Sequence, residues 1–294
     1  MIDIPIQILL ALGTAFAFAT SSVLTRFGVE RSAPIAALFV TVTVNAIVLW
    51  TVSIMLYDVT INLWAWRYFL LAGVFAPVIG RLCNYIGLKR VGVNLTLPIS
   101  NSNPLVSIML AMLLLNETLS PRGQVGALAV ITGGILLASA NRNDNGAVAI
   151  RYSDLLFPVA GAVIYGSVQL LRKAGMGLVP SPAVGAAVNL TASWFVIAAF
   201  LTVVPSQRDR LSIPREDLQY FVLAGIASSF GLICLYAALL SGTVVIVTPL
   251  LNTTPLFALA LTYIFLRDRE PFTLQVIAGT TLIVTGVGLL VMSS

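Results

Sequence analysis

The sequence has no histidine, two cysteines and little charge: Asp, Glu, Lys and Arg together make up 9% of its 294 residues. Each shortage excludes something. The apolar segments offer no histidine, no acidic pair and no cysteine cluster, so they hold neither a nucleophile–base pair nor a set of metal ligands. No enzyme, metal site or cofactor is expected. Cys83 and Cys234 lie inside apolar runs and build no disulfide framework. Soluble domains carry roughly 25% charged residues. Here 9%, with 59% hydrophobic residues and a mean hydropathy of +1.00, excludes a soluble protein. The opening MIDIPIQILLALG lacks a basic stretch and runs straight into an apolar segment, so a cleaved signal peptide is not expected.

What remains is long apolar runs. Runs of about 20 residues match a hydrocarbon core roughly 30 Å thick at 1.5 Å per helical residue, whereas barrel strands would alternate over about ten. Ten spans are predicted, over 4–27, 34–56, 65–88, 94–115, 121–140, 153–172, 182–204, 216–240, 243–266 and 271–292. The fold class is therefore an all-α integral membrane protein. The longest connections, 141–152 and 205–215, are too short to fold as domains. The net charge of +5 is spread over the loops, where it sets topology and meets lipid headgroups; nucleic acid is not implied.

The fourth span is interrupted by LPISNSNP (97–104), two prolines and four polar residues at a depth where unpaired polar groups are costly. A shift of 151 residues lays TPLLNTTP (248–255) on it, matching Pro98 with Pro249, Asn101 with Asn252 and Pro104 with Pro255. Over 80–127 against 231–278 there are 14 identities in 48 positions. LTRFG (24–28) and LRKAG (171–175) match more loosely. The chain thus divides into a first five-helix repeat, 1–145, and a second, 146–294. An odd number of spans per copy inverts the second, with a pseudo-twofold axis in the membrane plane. In inverted-repeat transporters, proline-interrupted helices at matching positions mark the midplane binding site. Asn101 and Asn252 are therefore candidate cavity residues, and Pro98, Pro104, Pro249 and Pro255 candidate hinges. The alternative is plain helix packing.

These features resemble the EamA-like ten-helix branch of the drug/metabolite transporter superfamily. The resemblance rests on PISNSNPL (98–105) with LNE (115–117) and TGG (132–134), and on PLLNTTPL (249–256) with LRD (266–268) and TGV (285–287). It covers nearly the whole chain. It implies movement of small metabolites, often amino acids outward, through a central cavity by alternating access. Two details depart from the family pattern: the turns read LNE and LRD where Leu-Gly-Glu is usual, and Phe16 or Phe18 stands where the first helix often has Trp.

All Asp and Glu lie in loops or at predicted span ends, so no titratable acid is available inside the membrane for proton coupling. Uniport or exchange is expected, and a multidrug-cation antiporter is not. Arg81 lies well inside the third span, with Asn84 and Tyr85 on the same face. Its forked donors suit a carboxylate or phosphate, the alternative being a snorkelling contact with headgroups. Tyr165 and Gln169 share a face of the sixth span, and Tyr236 lies in the eighth. Arg26, Arg172 and Lys173 close the first and sixth spans and read as interfacial anchors. The glycine faces of 126–134 and 279–288 allow close helix approach, within one chain or across a homodimer.

The expected function is a secondary transporter of a small anionic or zwitterionic metabolite, an amino acid or organic acid, by export or exchange. A bacterial inner membrane is the expected location and a monomer the expected state. The alternative cargo is phosphorylated (a sugar phosphate, nucleotide sugar or lipid headgroup), which would need a second cavity cation such as Arg26 or Lys173. A non-transporting receptor is the other class. Loops after odd-numbered spans hold eleven Lys and Arg against four on the other side, which puts the termini outside, whereas the resemblance implies cytoplasmic termini.

Overall fold

The structure is a computed structural model that describes residues 5–29, 32–91, 96, 99–140, 152–204, 211–265 and 274–292. Among these, regular structure is entirely helical. The elements are α1 (Ile6–Val29), α2 (Pro34–Leu56), α3 (Leu63–Val74), α4 (Arg81–Val91), α5 (Asn103–Leu114), α6 (Pro121–Ala140), α7 (Leu156–Leu178), α8 (Pro182–Val203), α9 (Arg215–Ser241), α10 (Val244–Leu251), α11 (Thr254–Phe265) and α12 (Leu274–Val291). Proline sits at the first turn of α2, α5 and α8, where its missing N–H costs nothing.

Seven segments are long and apolar enough to cross a membrane: Ile6–Gly28, Pro34–Leu56, Ser153–Leu178, Pro182–Val203, Arg215–Ser241, Val244–Ile264 and Leu274–Val291. Ile99–Leu114 and Pro121–Leu137 are apolar but shorter. Three predicted spans are not single α-helices. The fourth breaks at Ser102 and the ninth at Asn252–Thr253, as LPISNSNP and TPLLNTTP foretold. The third is split into α3 and α4 by a π-helical turn, Phe75–Gly80, which was not expected from the sequence. Pro77 explains it. A proline has no N–H for the carbonyl four residues back, and that carbonyl, Gly73 O, instead accepts from Ser193 Oγ on α8 at 3.0 Å.

α1 packs along α9 and α7 along α3 and α4; α2 lies on α9 as α8 lies on α3, and α6 pairs with α12. These sets are related by exchanging the two halves. α2 and α8 also face each other, through Trp50 Nε1 donating to Thr191 Oγ1 (2.8 Å) and Trp194 Nε1 donating to Thr43 Oγ1 (3.1 Å). One set is one-sided. α9 packs on α7 and α8, whereas among the described residues α3 and α4 make no comparably close packing on α1 and α2.

The α6–α12 pair shows how the glycines are used. A methyl at Gly133 would stand 2.6 Å from Gly279 O, and one at Gly126 would stand 2.8 Å from Gly286 O. The lower-numbered glycine of one helix meets the higher-numbered of the other, so the two helices run antiparallel with backbones in contact. Small residues replace an absent hydrophobic drive between helices in lipid. Gly133→Ala should therefore destabilise the protein by about 1–3 kcal/mol through overpacking, read as a lower thermal midpoint in detergent. Gly288→Ala, with nothing within 4 Å of the added methyl, should leave it unchanged or slightly raised.

Candidate functional site

The two broken helices meet. Asn252, at the turn between α10 and α11, donates from Nδ2 to Asn101 O at 3.0 Å. Its own carbonyl lies against Gly134, where a methyl would stand 2.7 Å away. Around the first break Ser100 Oγ donates to Asn84 Oδ1 (2.6 Å) and Asn103 Nδ2 donates to Ser100 O (2.9 Å). Pro104 is buried in the first turn of α5, Pro249 is buried inside α10, and Pro255 opens α11. Pro98 lies outside the described residues. The Asn84 Oδ1, the Asn252 Nδ2 and the backbone carbonyl of Asn101 thus join helix segments. Arg81 opens α4 directly after the π turn; its side chain and that of Tyr85 fall outside what is described. Tyr165 packs on that turn, its ring 3.0 Å from the methyl position at Gly80.

A cavity of about 500 Å³ lies elsewhere, among α1, α2, α7, α8 and α9. Its walls carry Phe18, Val42 and Leu232 on the apolar side and Ser22, Thr25, Thr41, Asn45 and Ser228 on the polar side. It opens past Ser22 and Pro34, both exposed, where α1 ends and α2 begins. Asn45 Oδ1 accepts from Ser228 Oγ (2.9 Å) and Ser229 Oγ (2.8 Å). The hydroxyls of Ser22, Thr25 and Thr41 each donate at 2.8 Å to the carbonyl four residues back, leaving oxygen lone pairs for the cavity.

Among the described lining residues Arg172 alone is charged. Its position near a span end suggests an interfacial anchor; the fold corrects this, because the end of α7 faces into the bundle. Its Nη1 donates to Gln169 Oε1 at 3.3 Å, and its Cζ lies 5.7 Å from the centre of the Tyr236 ring. It makes no ion pair among the described residues, and its Nε is buried without a hydrogen-bond partner, as is the Tyr236 hydroxyl. Tyr236 is fully buried, packed on Phe69 with ring centres 5.7 Å apart. Gln169 and Tyr236 are therefore brought to one place, around a cation that was not among the expected site residues. The signal was available: Tyr165, Gln169 and Arg172 fall at i, i+4 and i+7, one stripe of a helix.

A cation without a counter-ion among the described residues, with its own Nε unbonded and the Tyr236 hydroxyl beside it, is costly in an apolar bundle unless something anionic binds there. The hydroxyl oxygens and the apolar wall can take a polar group and a hydrocarbon body of the same ligand.

The model of the EamA-like transporter family matches this sequence twice, over residues 5–139 and 153–292. A crystal structure described only as "Crystal structure of protein" has the same fold, with a TM-score of 0.79 at 17% sequence identity, covering 98% of this chain and 98% of that one. No curated protein matches the sequence at a significant level.

An unsatisfied buried hydroxyl costs about 1–3 kcal/mol. Tyr236→Phe, which keeps the ring and removes that hydroxyl, should therefore raise the thermal midpoint of the ligand-free protein while weakening anion binding. A lower midpoint would show that the hydroxyl is satisfied in the resting state.

Proposed function

The chain belongs to the EamA-like transporter family, and from that premise we propose that it carries a small anionic or zwitterionic metabolite, such as an amino acid or organic acid, by exposing one cavity alternately to the two sides. Family membership makes it a multi-pass membrane transporter of small molecules, not an enzyme. The observation that carries the finer reading is Arg172, a guanidinium without an ion-pair partner among the described residues, on the wall of the cavity. A guanidinium offers forked donors to a carboxylate. A phosphate dianion would call for a second cation, and no other described lining residue supplies one. An ammonium would find the lone pairs of Ser22, Thr25 and Thr41. Arg81 stays in the proposal as a second guanidinium, on the helix after the π turn.

The proposed architecture is two copies of a five-span unit, the second inverted, forming ten spans with Pro98, Pro104, Pro249 and Pro255 at the breaks. Three things support it: the double family match, the antiparallel run of the equivalent helices α6 and α12, and the exchange of neighbours between halves. The glycine faces of α6 and α12 are spent on each other, which supports a monomer. With no carboxylate or imidazole among the described residues of the cavity wall, export by exchange or uniport is favoured over proton antiport. A bacterial-type inner membrane is the setting that suits such a carrier.

Flux of a metabolite panel into proteoliposomes tests the reading. Arg172→Gln should reduce transport of the best cargo roughly ten- to hundredfold, as loss of a charged hydrogen bond does, with its thermal midpoint little changed. Carboxylates should compete and phosphates should not. Wild-type flux by Arg172→Gln would remove Arg172 from the site, and the same assay on Arg81→Gln would then show whether the other guanidinium holds the cargo.

A further inference from the structure

The cavity opens at one end of α1; the other end is fastened. α9 finishes at Ser241 and α10 begins at Val244, so the turn between them presents helix-end carbonyls and N–H groups that need partners. Three side chains from three separate parts of the chain supply them. Lys173 Nζ, on α7, donates to Leu239 O at 2.7 Å and to Gly242 O at 2.6 Å. Gln7 Oε1, at the start of α1, accepts from Thr243 N–H at 3.0 Å. Glu117 Oε2, between α5 and α6, accepts from Val245 N–H at 3.0 Å. Lys173 was expected to be an interfacial anchor; it binds protein carbonyls instead.

Position gives this cluster its meaning. Gln7 stands in the first turn of α1 and Ser22 fifteen residues further on, roughly 22 Å along its axis. The fastened turn is therefore remote from the mouth. α9 also packs closely on α7 and α8, while the corresponding packing of α3 and α4 on α1 and α2 is looser among the described residues. The turn leads directly into α10, so releasing it frees the first half of a broken helix. Lys173 is next to Arg172 in the chain, which places the latch one residue from the cation on the cavity wall.

We propose that Lys173, Glu117 and Gln7 form a latch on the Leu239–Val245 turn that keeps the end of the bundle opposite the mouth closed, and that the latch must break for the cavity to face the other side. The bonds are made to backbone atoms, so they hold the turn in place whatever side chains it carries. Two of the three groups are charged, which makes each of their bonds stronger than a neutral one. A ligand-free protein is held mouth-open by them, since exposure of the other side requires their loss first.

The proposal rests on alternate exposure of one cavity, yet its test needs no cargo, so failure of the latch and failure of the cargo assignment are told apart. In the full-length chain with Cys83→Ala and Cys234→Ala, Thr41→Cys places a thiol on the cavity wall. The rate of its reaction with a charged maleimide, in lipid nanodiscs and without substrate, reports how far the mouth is open. Lys173→Met and Glu117→Leu should each move the balance away from the mouth-open state roughly tenfold, the change that about 1.4 kcal/mol makes, and so slow that reaction by a factor of up to roughly ten. A merely structural role would loosen the protein and leave the reaction unchanged or faster. Either of those results, in variants that elute as folded monodisperse protein, would overturn the proposal. Where Lys173→Met does not fold, Gln7→Leu replaces it, with the same expected slowing and the same overturning result.

Discussion

No water waits inside a bilayer to receive a backbone group that a helix has let go, and this constraint organises the molecule. Three places where a helix is broken or ends early each have a named partner from another segment. Pro77 frees the Gly73 carbonyl, and Ser193 takes it. The break at Asn101 is met by the Asn252 amide. The turn before α10 is met by Lys173, Gln7 and Glu117. Irregular backbone is thus admitted at the cost of fixing particular side chains, and those side chains tie the two halves of the chain together.

Against that background the unpartnered groups stand out. Among the described residues four buried side-chain atoms lack a hydrogen bond: Thr96 Oγ1, Arg172 Nε, Tyr236 Oη and Thr243 Oγ1. Two of the four belong to neighbouring residues beside the cavity, and one of those carries a full charge. A fold that satisfies distant broken backbone so consistently leaves part of this guanidinium unbonded, and the proposed cargo would complete it. Stability is given up at the place where binding needs it, a trade common at functional sites.

Much of this was legible before any coordinates. Apolar length gave the helices, and LPISNSNP and TPLLNTTP gave both breaks, because a proline's missing N–H is a property of the residue wherever it stands. The partner of each freed group was not legible, since Asn252 and Asn101, or Ser193 and Gly73, are joined only by packing. Asn252 and Asn84, read as cavity residues, also join segments, through the Asn252 amide on the Asn101 carbonyl and the Asn84 oxygen on Ser100. Pro77 was as visible as the others but has no counterpart in the second half, so the repeat gives it no emphasis. Arg172 was misjudged for a physical reason: an arginine a few residues from a span end snorkels to headgroups by default, and only the inward facing of α7 overrides that. The stripe of Tyr165, Gln169 and Arg172 was the clue that closeness to the span end concealed.

The central claim is that the Arg172 guanidinium on the cavity wall is there for the cargo's negative charge. An experimental density map of the protein in lipid, with its transported metabolite bound, tests this most directly. The account predicts an acidic group of the cargo within about 3 Å of the Arg172 guanidinium, with its remaining atoms against Phe18, Val42 and Leu232. A map showing Arg172 paired with a lipid phosphate or a protein carboxylate, and the cargo bound away from it, would contradict the account.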